Sequence, residues 1–129
     1  MLALMSDRTG QRIASDVELA VTSAERKRGL LGRDRLGESS GLLLAPCWLI
    51  HTAFMRFPID VVFVNREGVV VRVVSDLGPW RIAASVRAHA AIEFAAGVLR
   101  SHDVRPGDRL YLAAEPAPAG TTVSWPVPA

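Results

Sequence analysis

The segment from Cys47 to Asp60 carries most of the side chains that could bind a ligand or take part in chemistry. Its apolar and polar residues interleave without the regular alternation of a half-buried strand. Ligand pockets are mostly apolar and aromatic, with a few polar groups that converge on the ligand. The segment therefore predicts a binding groove or, alternatively, a strand and loop whose aromatic side chains fill the core.

Cys47 and His51 have the residue types of a thiol nucleophile and its general base. Such a pair needs the sulfur within hydrogen-bond reach of the imidazole. In an extended strand, positions four apart lie about 13 Å from each other, so the chain would have to bend between them. Because a lone cysteine is more often a buried, inert thiol, we expect no catalytic nucleophile here.

Metal ligation could draw on Cys47, His51 and Asp60, with a contribution from His89 or His102. The sequence contains no close ligand spacing such as Cys-x-x-Cys or His-x-x-x-His. We therefore expect no metal ion and no bound cofactor.

Asp60 and Glu93 each lie inside an apolar run, where a buried carboxylate costs several kcal/mol unless it is paired or hydrogen-bonded. The expected solution is an ion pair, a solvent-facing position or, for Asp60, backbone N–H donors near Pro58. Two carboxylates about 5–9 Å apart could instead serve as the acid and base of glycoside hydrolysis. The candidate cationic partners are Arg33, Arg56 and Arg72.

Two further segments present aromatic side chains outside regular strands. In Gly78–Arg81, Trp80 could stack on a ligand or partner, or cover an open end of the fold. Trp125 lies in a Pro-rich tail and could belong to a docking strand or to a disordered end.

Composition limits the classes of protein that fit. The chain has 129 residues, which predicts one domain over residues 1–114 and a Pro-rich tail over 115–129. Its net charge of +2 argues against nucleic-acid binding, which requires a dense basic surface. With one cysteine no internal disulfide is possible, and no apolar run is long enough to span a membrane. A cytoplasmic location is the expectation, since the apolar start of the chain is too short for a signal peptide.

The pattern of elements predicts a mainly β fold. The clearest hairpin joins Ile59–Val64 to Val69–Val74 around Asn65–Gly68. Thr22 and Glu25 form a capping box, which predicts a short helix ending near Gly32, with its charges in solvent. About eight strands with one or two short helices indicate a jelly-roll-like β-sandwich or barrel. The other predicted strands are Leu2–Met5, Ile13–Val21, Gly41–Ala45, Val86–Ala95 and Arg109–Ala113, and one helical turn is expected within Ala96–His102.

Several segments, in this order and spacing, resemble the DUF192 family, an uncharacterised family of bacteria and archaea. The resemblance runs from about Val17 to Leu112, and it implies a jelly-roll-like β-sandwich without any established catalytic residue. The family commonly has Asn and Thr at the positions of Phe54 and Met55, so a role built on those two residues does not transfer. The segments are Arg28–Arg33, Gly41–Leu44, Phe57–Phe63, Gly68–Val70, Glu93–Gly97 and Gly107–Asp108.

These patterns favour a non-enzymatic binding module for a small polar ligand or a polypeptide segment, with no membrane span. One alternative is a hydrolase using Asp60, Glu93 or His51. The other is a structural or assembly partner in a cell-envelope system, which an exposed apolar patch would favour. The groove is expected to be formed by His51, Met55, Arg56 and Trp80, and the full set of candidate ligand-binding residues also includes Asp60 and Glu93.

Overall fold

Ten strands and two short helices make up residues 1–115, the part of the chain that the computed structural model describes. Trp125 and nearly all of the predicted tail lie outside the described residues. In chain order the elements are β1 (Leu2–Ser6), β2 (Arg12–Ala14), β3 (Asp16–Ala20), α1 (Ser23–Arg28), β4 (Ser40–Leu44), β5 (Leu49–His51), β6 (Ile59–Val64), β7 (Val70–Leu77), β8 (Ile82–Ala84), β9 (Ala90–Ala95), α2 (Val98–Ser101) and β10 (Leu110–Ala114).

A five-stranded sheet in the order β3-β4-β9-β6-β7 lies at the centre of the fold. Only β3 and β4 pair in parallel; the other neighbours are antiparallel. The strands β6 and β9 are apolar on both faces apart from one carboxylate each, as expected for strands covered on both sides.

Two separate layers cover this sheet. On one face a sheet of β10-β1-β2 packs against it, and Leu4 and Leu112 share a core with Phe94. On the other face β5 and β8 form a two-stranded ribbon, and Ile50 and Ala83 pack into a second core. The predicted mainly β, sandwich-like fold is confirmed, and the sheets do not close into a barrel. The finer jelly-roll arrangement stays a prediction.

Local sequence signals account for the hairpin and for α1. The β6–β7 turn is closed by the Asn65 side chain, which accepts hydrogen bonds from the backbone N–H of Glu67 and Val69. At α1 the Thr22 hydroxyl accepts from the Glu25 N–H at 3.1 Å, and the Glu25 carboxylate accepts from the Thr22 N–H at 3.0 Å. The predicted capping box is therefore confirmed, although α1 ends at Arg28 and not near Gly32.

Two predicted strands have clearly different bounds in the structure, and two further short strands were not assigned. The run Ile13–Val21 is divided at Ser15, because the backbone N–H groups of Ser15 and Asp16 both turn to the Ser39 carbonyl. The run Val86–Ala95 is a strand only from Ala90 onward. The short strands β5 and β8 were not predicted. Within residues 1–115 no helix is long and apolar enough to cross a membrane.

Asp60, the second residue of β6, joins three parts of the molecule. Its side chain is buried and accepts hydrogen bonds from the backbone N–H groups of Asp76 at 2.8 Å, Gly97 at 2.9 Å and Leu99 at 3.1 Å. The β6–β7 pairing shifts register beside Asp60, which leaves Asp76 in a β-bulge without a backbone partner on β6. The Asp60 carboxylate accepts the hydrogen bond of the Asp76 N–H instead. The prediction that backbone N–H groups satisfy Asp60 is confirmed, but these donors come from distant segments and not from the neighbourhood of Pro58.

We predict that Asp60→Asn lowers the free energy of unfolding by about 3 kcal/mol, because an amide presents only one acceptor oxygen to three buried N–H groups. Urea denaturation at neutral pH measures the change. The matched control is Asp34→Asn, whose carboxylate pairs with Arg56 at the surface and should alter stability by less than about 0.5 kcal/mol. Equal effects of the two substitutions would contradict the structural role of Asp60.

Candidate binding pocket

A pocket of about 520 Å³ opens between α1 and the ribbon strand β5. Its walls are α1 with the following Leu30 and Leu31 on one side and Leu49–His51 on the other. Leu44, Met55 and Glu93 also line it. The volume is in the range of small-molecule sites.

Glu93 is the polar group that distinguishes this pocket. It lies on the central strand β9, is 4% exposed and faces the same side of the sheet as Val61. Within residues 1–115 its Oε2 atom has no hydrogen-bond partner. Burial raises the pKa of Glu93 to about 7, and the nearby charge of Arg33 opposes that rise. An unpaired carboxyl group that titrates near neutral pH therefore lines a mostly apolar pocket.

Three cations of α1 stand at the pocket wall: Arg26, Lys27 and Arg28. The Arg26 guanidinium is held in place, since its Nη1 donates to the Val21 carbonyl at 2.5 Å and to the Ala45 carbonyl at 3.4 Å. Because Glu25 is engaged in the capping box, the charge that α1 presents here is positive.

Cys47 and His51 both line the pocket. The Cys47 thiol donates to the Leu49 carbonyl at 3.3 Å, and burial raises its pKa, with the Glu93 charge acting in the same direction and Arg26 against it. A thiol in that environment is mainly protonated at neutral pH, whereas a nucleophilic cysteine requires a lowered pKa. Among residues 1–115 no three His, Cys, Asp or Glu side chains are grouped so as to hold a metal ion.

The four predicted groove residues lie in three different places. His51 and Met55 line the pocket together with Glu93. Arg56 lies elsewhere on the surface and pairs with Asp34 at 2.6 Å. Trp80 packs against Phe54 with ring centroids 4.5 Å apart. The structure thus brings together three of the six candidate residues and separates Arg56, Asp60 and Trp80 from them.

Asp60 and Glu93 are near each other in the ladder but face opposite sides of the sheet. Asp60 is in register with Phe94, which belongs to the core against the three-stranded sheet, and Glu93 is in register with Val61 of the ribbon core. Since successive side chains alternate between faces, the two carboxylates cannot line one cleft.

None of the three proposed arginine partners hydrogen-bonds to either carboxylate in the described part of the chain. Arg33 instead pairs with Glu18 at 2.7 Å, and Arg72 donates to the Ala84 carbonyl at 2.6 Å. Arg56 is occupied by Asp34. The expectation of an ion pair or a solvent-facing position for Glu93 is therefore wrong, and Arg33 acts on it only through its charge.

Sequence reasoning missed the α1 side of the pocket. The charges of α1 were expected to be solvated, and Lys27 and Arg28 are exposed as expected, but with the half-buried Arg26 they also stand at the mouth of the pocket. The inward position of Leu30 agrees with its apolar type, whereas the sequence carries no signal that the charged turn before it borders a pocket.

The raised pKa of Glu93 has a measurable consequence for stability. Between the ordinary pKa of 4.5 and the folded value of about 7, the folded protein holds a proton that the unfolded chain releases, so the contribution of Glu93 to stability is fully present below pH 4.5 and is lost as pH rises through about 7. We predict that Glu93→Gln, which cannot ionise, has a free energy of unfolding up to about 3 kcal/mol higher than that of the parent at pH 8. At pH 4.5 the two proteins should be equally stable. Urea denaturation at both pH values tests this, with the exposed Glu38→Gln as control. Parallel pH profiles for Glu93→Gln and the parent would contradict an unpaired Glu93.

Comparison with known proteins places the chain in a family. The profile of DUF192, described as "Uncharacterized ACR", matches residues 4–112. No curated protein matches at a significant level.

Two solved structures share the fold. One is a protein of unknown function from Novosphingobium aromaticivorans, with a TM-score of 0.73 and 23% identity over 84% of this chain and 81% of that one. The other, from Sinorhizobium meliloti, is provisionally described as a transcription regulator and has a TM-score of 0.72 and 24% identity over 84% of this chain and 89% of that one. At this identity the likeness supports the fold alone. Because the family profile spans most of the sequence, the protein belongs to the DUF192 family.

Proposed function

We propose that the protein is a non-enzymatic binding module whose pocket takes the amine-bearing end of a small polar ligand or of a side chain in a polypeptide segment. The observation that carries this proposal is the buried Glu93 carboxyl, whose Oε2 has no partner among the described residues. A buried polar atom without a partner is destabilising, and a ligand that donates a hydrogen bond or a positive charge removes that cost.

The rest of the pocket defines the other parts of such a ligand. Leu30, Leu44 and Met55 offer an apolar surface next to Glu93, which suits an aliphatic or aromatic body. Arg26 and its neighbours on α1 favour an anionic group at the opposite end of the ligand. The preferred ligand is therefore a small amphipathic molecule that carries an amine and an acidic group.

The pocket geometry supports binding over hydrolysis. A hydrolase built on Asp60 and Glu93 would need both carboxylates in one cleft, but the oxygens of Asp60 accept three backbone hydrogen bonds on the other side of the sheet. His51 and Glu93 both line the pocket, but no second carboxylate of the described residues does.

The first experiment is a native mass spectrum of the untagged, gently purified protein. Added mass on the folded species of the parent, and its absence from Glu93→Gln, would support a ligand held through Glu93. Added mass that is the same in both proteins would place the ligand elsewhere.

The amine preference can be tested with phenethylamine and its neutral isostere 2-phenylethanol, followed by chemical-shift titration. We predict that at pH 8 the amine binds about tenfold more tightly than the alcohol, because an ionised carboxylate pairs with the ammonium group. This preference should weaken as pH falls from 8 to 6, since Glu93 takes up a proton with a pKa of about 7. Glu93→Gln should abolish the preference and the control Glu38→Gln should keep it. Equal affinities of the two probes for the parent protein would refute the amine specificity.

A further inference from the structure

The exposed large apolar side chains of the described residues are concentrated around the β5–β8 ribbon. Six of the eight lie in residues 48–54 and 80–86, namely Trp48, Leu49, Phe54, Trp80, Ile82 and Val86. In β5 and β8 the buried Ile50 and Ala83 face the core, so the alternating positions Leu49 and Ile82 face outward. We call Leu49, Phe54, Trp80 and Ile82 the ribbon face.

The most prominent part of the ribbon face is the aromatic pair at its end. Phe54 is 73% exposed and Trp80 is 63% exposed, and both have positive φ angles, 64° and 62°. Bulky residues rarely adopt this conformation, which persists only where the surroundings hold it.

Thr52 holds both aromatic residues in place. It is buried between them, and its carbonyl accepts from the Trp80 N–H at 3.0 Å and the Met55 N–H at 3.1 Å. Its hydroxyl donates to the Gly78 carbonyl at 2.6 Å and accepts from the Arg81 N–H at 2.8 Å. The fold thus fixes two large aromatic rings in solvent.

The ribbon and its loops carry only cationic charges of their own. Residues 45–58 and 78–89, which build them, contain no Asp or Glu. The acids that border them are Asp34, which pairs with Arg56, and the exposed Asp76 of β7. The ribbon and its loops contain three arginines, of which Arg56 is paired with Asp34 while Arg81 and Arg87 are exposed. Arg81 lies between the exposed Trp80 and Ile82 in sequence.

We propose that the ribbon face docks on an anionic lipid surface. Aromatic rings and an aliphatic side chain enter the interfacial region of a bilayer, and neighbouring arginines contact anionic headgroups. A second copy of the chain is a poorer fit, because a symmetric contact of this face would bring the exposed Arg81 and Arg87 of both copies together, and the ribbon and its loops have no acid of their own to pair them. Nucleic acid is also a poorer fit, because Leu49 and Ile82 have no role against phosphates.

This docking uses different side chains from the ligand pocket, apart from Leu49, which lines the pocket and also belongs to the ribbon face. The pocket lies on the α1 side of β5 and depends on Glu93, whereas docking depends on Phe54, Trp80 and Arg81. Each can therefore fail without the other.

Vesicle co-sedimentation of the full chain tests the proposal, with vesicles of phosphatidylcholine alone and of phosphatidylcholine with phosphatidylglycerol in equal parts. We predict binding to the anionic vesicles only, weakened by added salt. Phe54→Asn with Trp80→Asn should reduce binding at least about tenfold, and asparagine tolerates the positive φ at both positions. Arg81→Gln should reduce it by about fivefold.

The matched control is Arg100→Gln, which removes one exposed cation from α2, on the opposite face of the central sheet. It should bind as the parent does, and thermal unfolding of each variant confirms that it is folded. Absence of binding to anionic vesicles, or an equal loss in Arg100→Gln and Arg81→Gln, would overturn the proposal. A dimer in solution that the double substitution converts to a monomer would overturn it in favour of a second copy.

Discussion

The rest of the structure depends on the hydrogen bonds that the buried Asp60 carboxylate accepts. Through three backbone N–H donors the carboxylate connects the start of β6 to the bulge in β7 and to the start of α2. These contacts fix the inner strands of the sheet, and the opposite face of that sheet presents Glu93 to the pocket. One buried carboxylate is fully satisfied by the fold, while the other is left with an unpaired oxygen. This contrast is the main reason for regarding Glu93 as functional and Asp60 as structural.

The elements encoded by local patterns could be predicted from the sequence. The β6–β7 hairpin has an Asn-x-x-Gly turn between two β-branched runs, and α1 begins at a capping box, so neighbouring residues determine both. The strands β5 and β8 were missed because each has three residues and pairs across more than thirty positions of sequence. The single run at Ile13–Val21 was misjudged because the Ser39 carbonyl, far away in sequence, captures the chain at Ser15.

The candidate site could be predicted only in part. Glu93 and Asp60 were found because a carboxylate in an apolar run is visible in the sequence, and His51 and Met55 because they lie in the densest segment. The sequence does not show on which face of the sheet each of these side chains lies, because that depends on the register with the partner strands. Arg56 and Trp80 lie apart from His51 and Met55 because each has another partner: Arg56 pairs with Asp34, and Trp80 packs against Phe54.

The placement of the two carboxylates on opposite faces also bears on how accurately the sheet assembles. If β9 slipped by one residue along β6, the side chain of Glu93 would leave the pocket and enter the core that now contains Phe94. The Leu and Val side chains of that core offer no hydrogen-bond donor, and Phe94 would move to the pocket side of the sheet. A slip of β6 would likewise remove Asp60 from its three donors. Purely apolar strands would lose no side-chain hydrogen bonds in such a shift, whereas a shift of β6 by an odd number of residues costs Asp60 its three donors and therefore disfavours a misaligned sheet during folding.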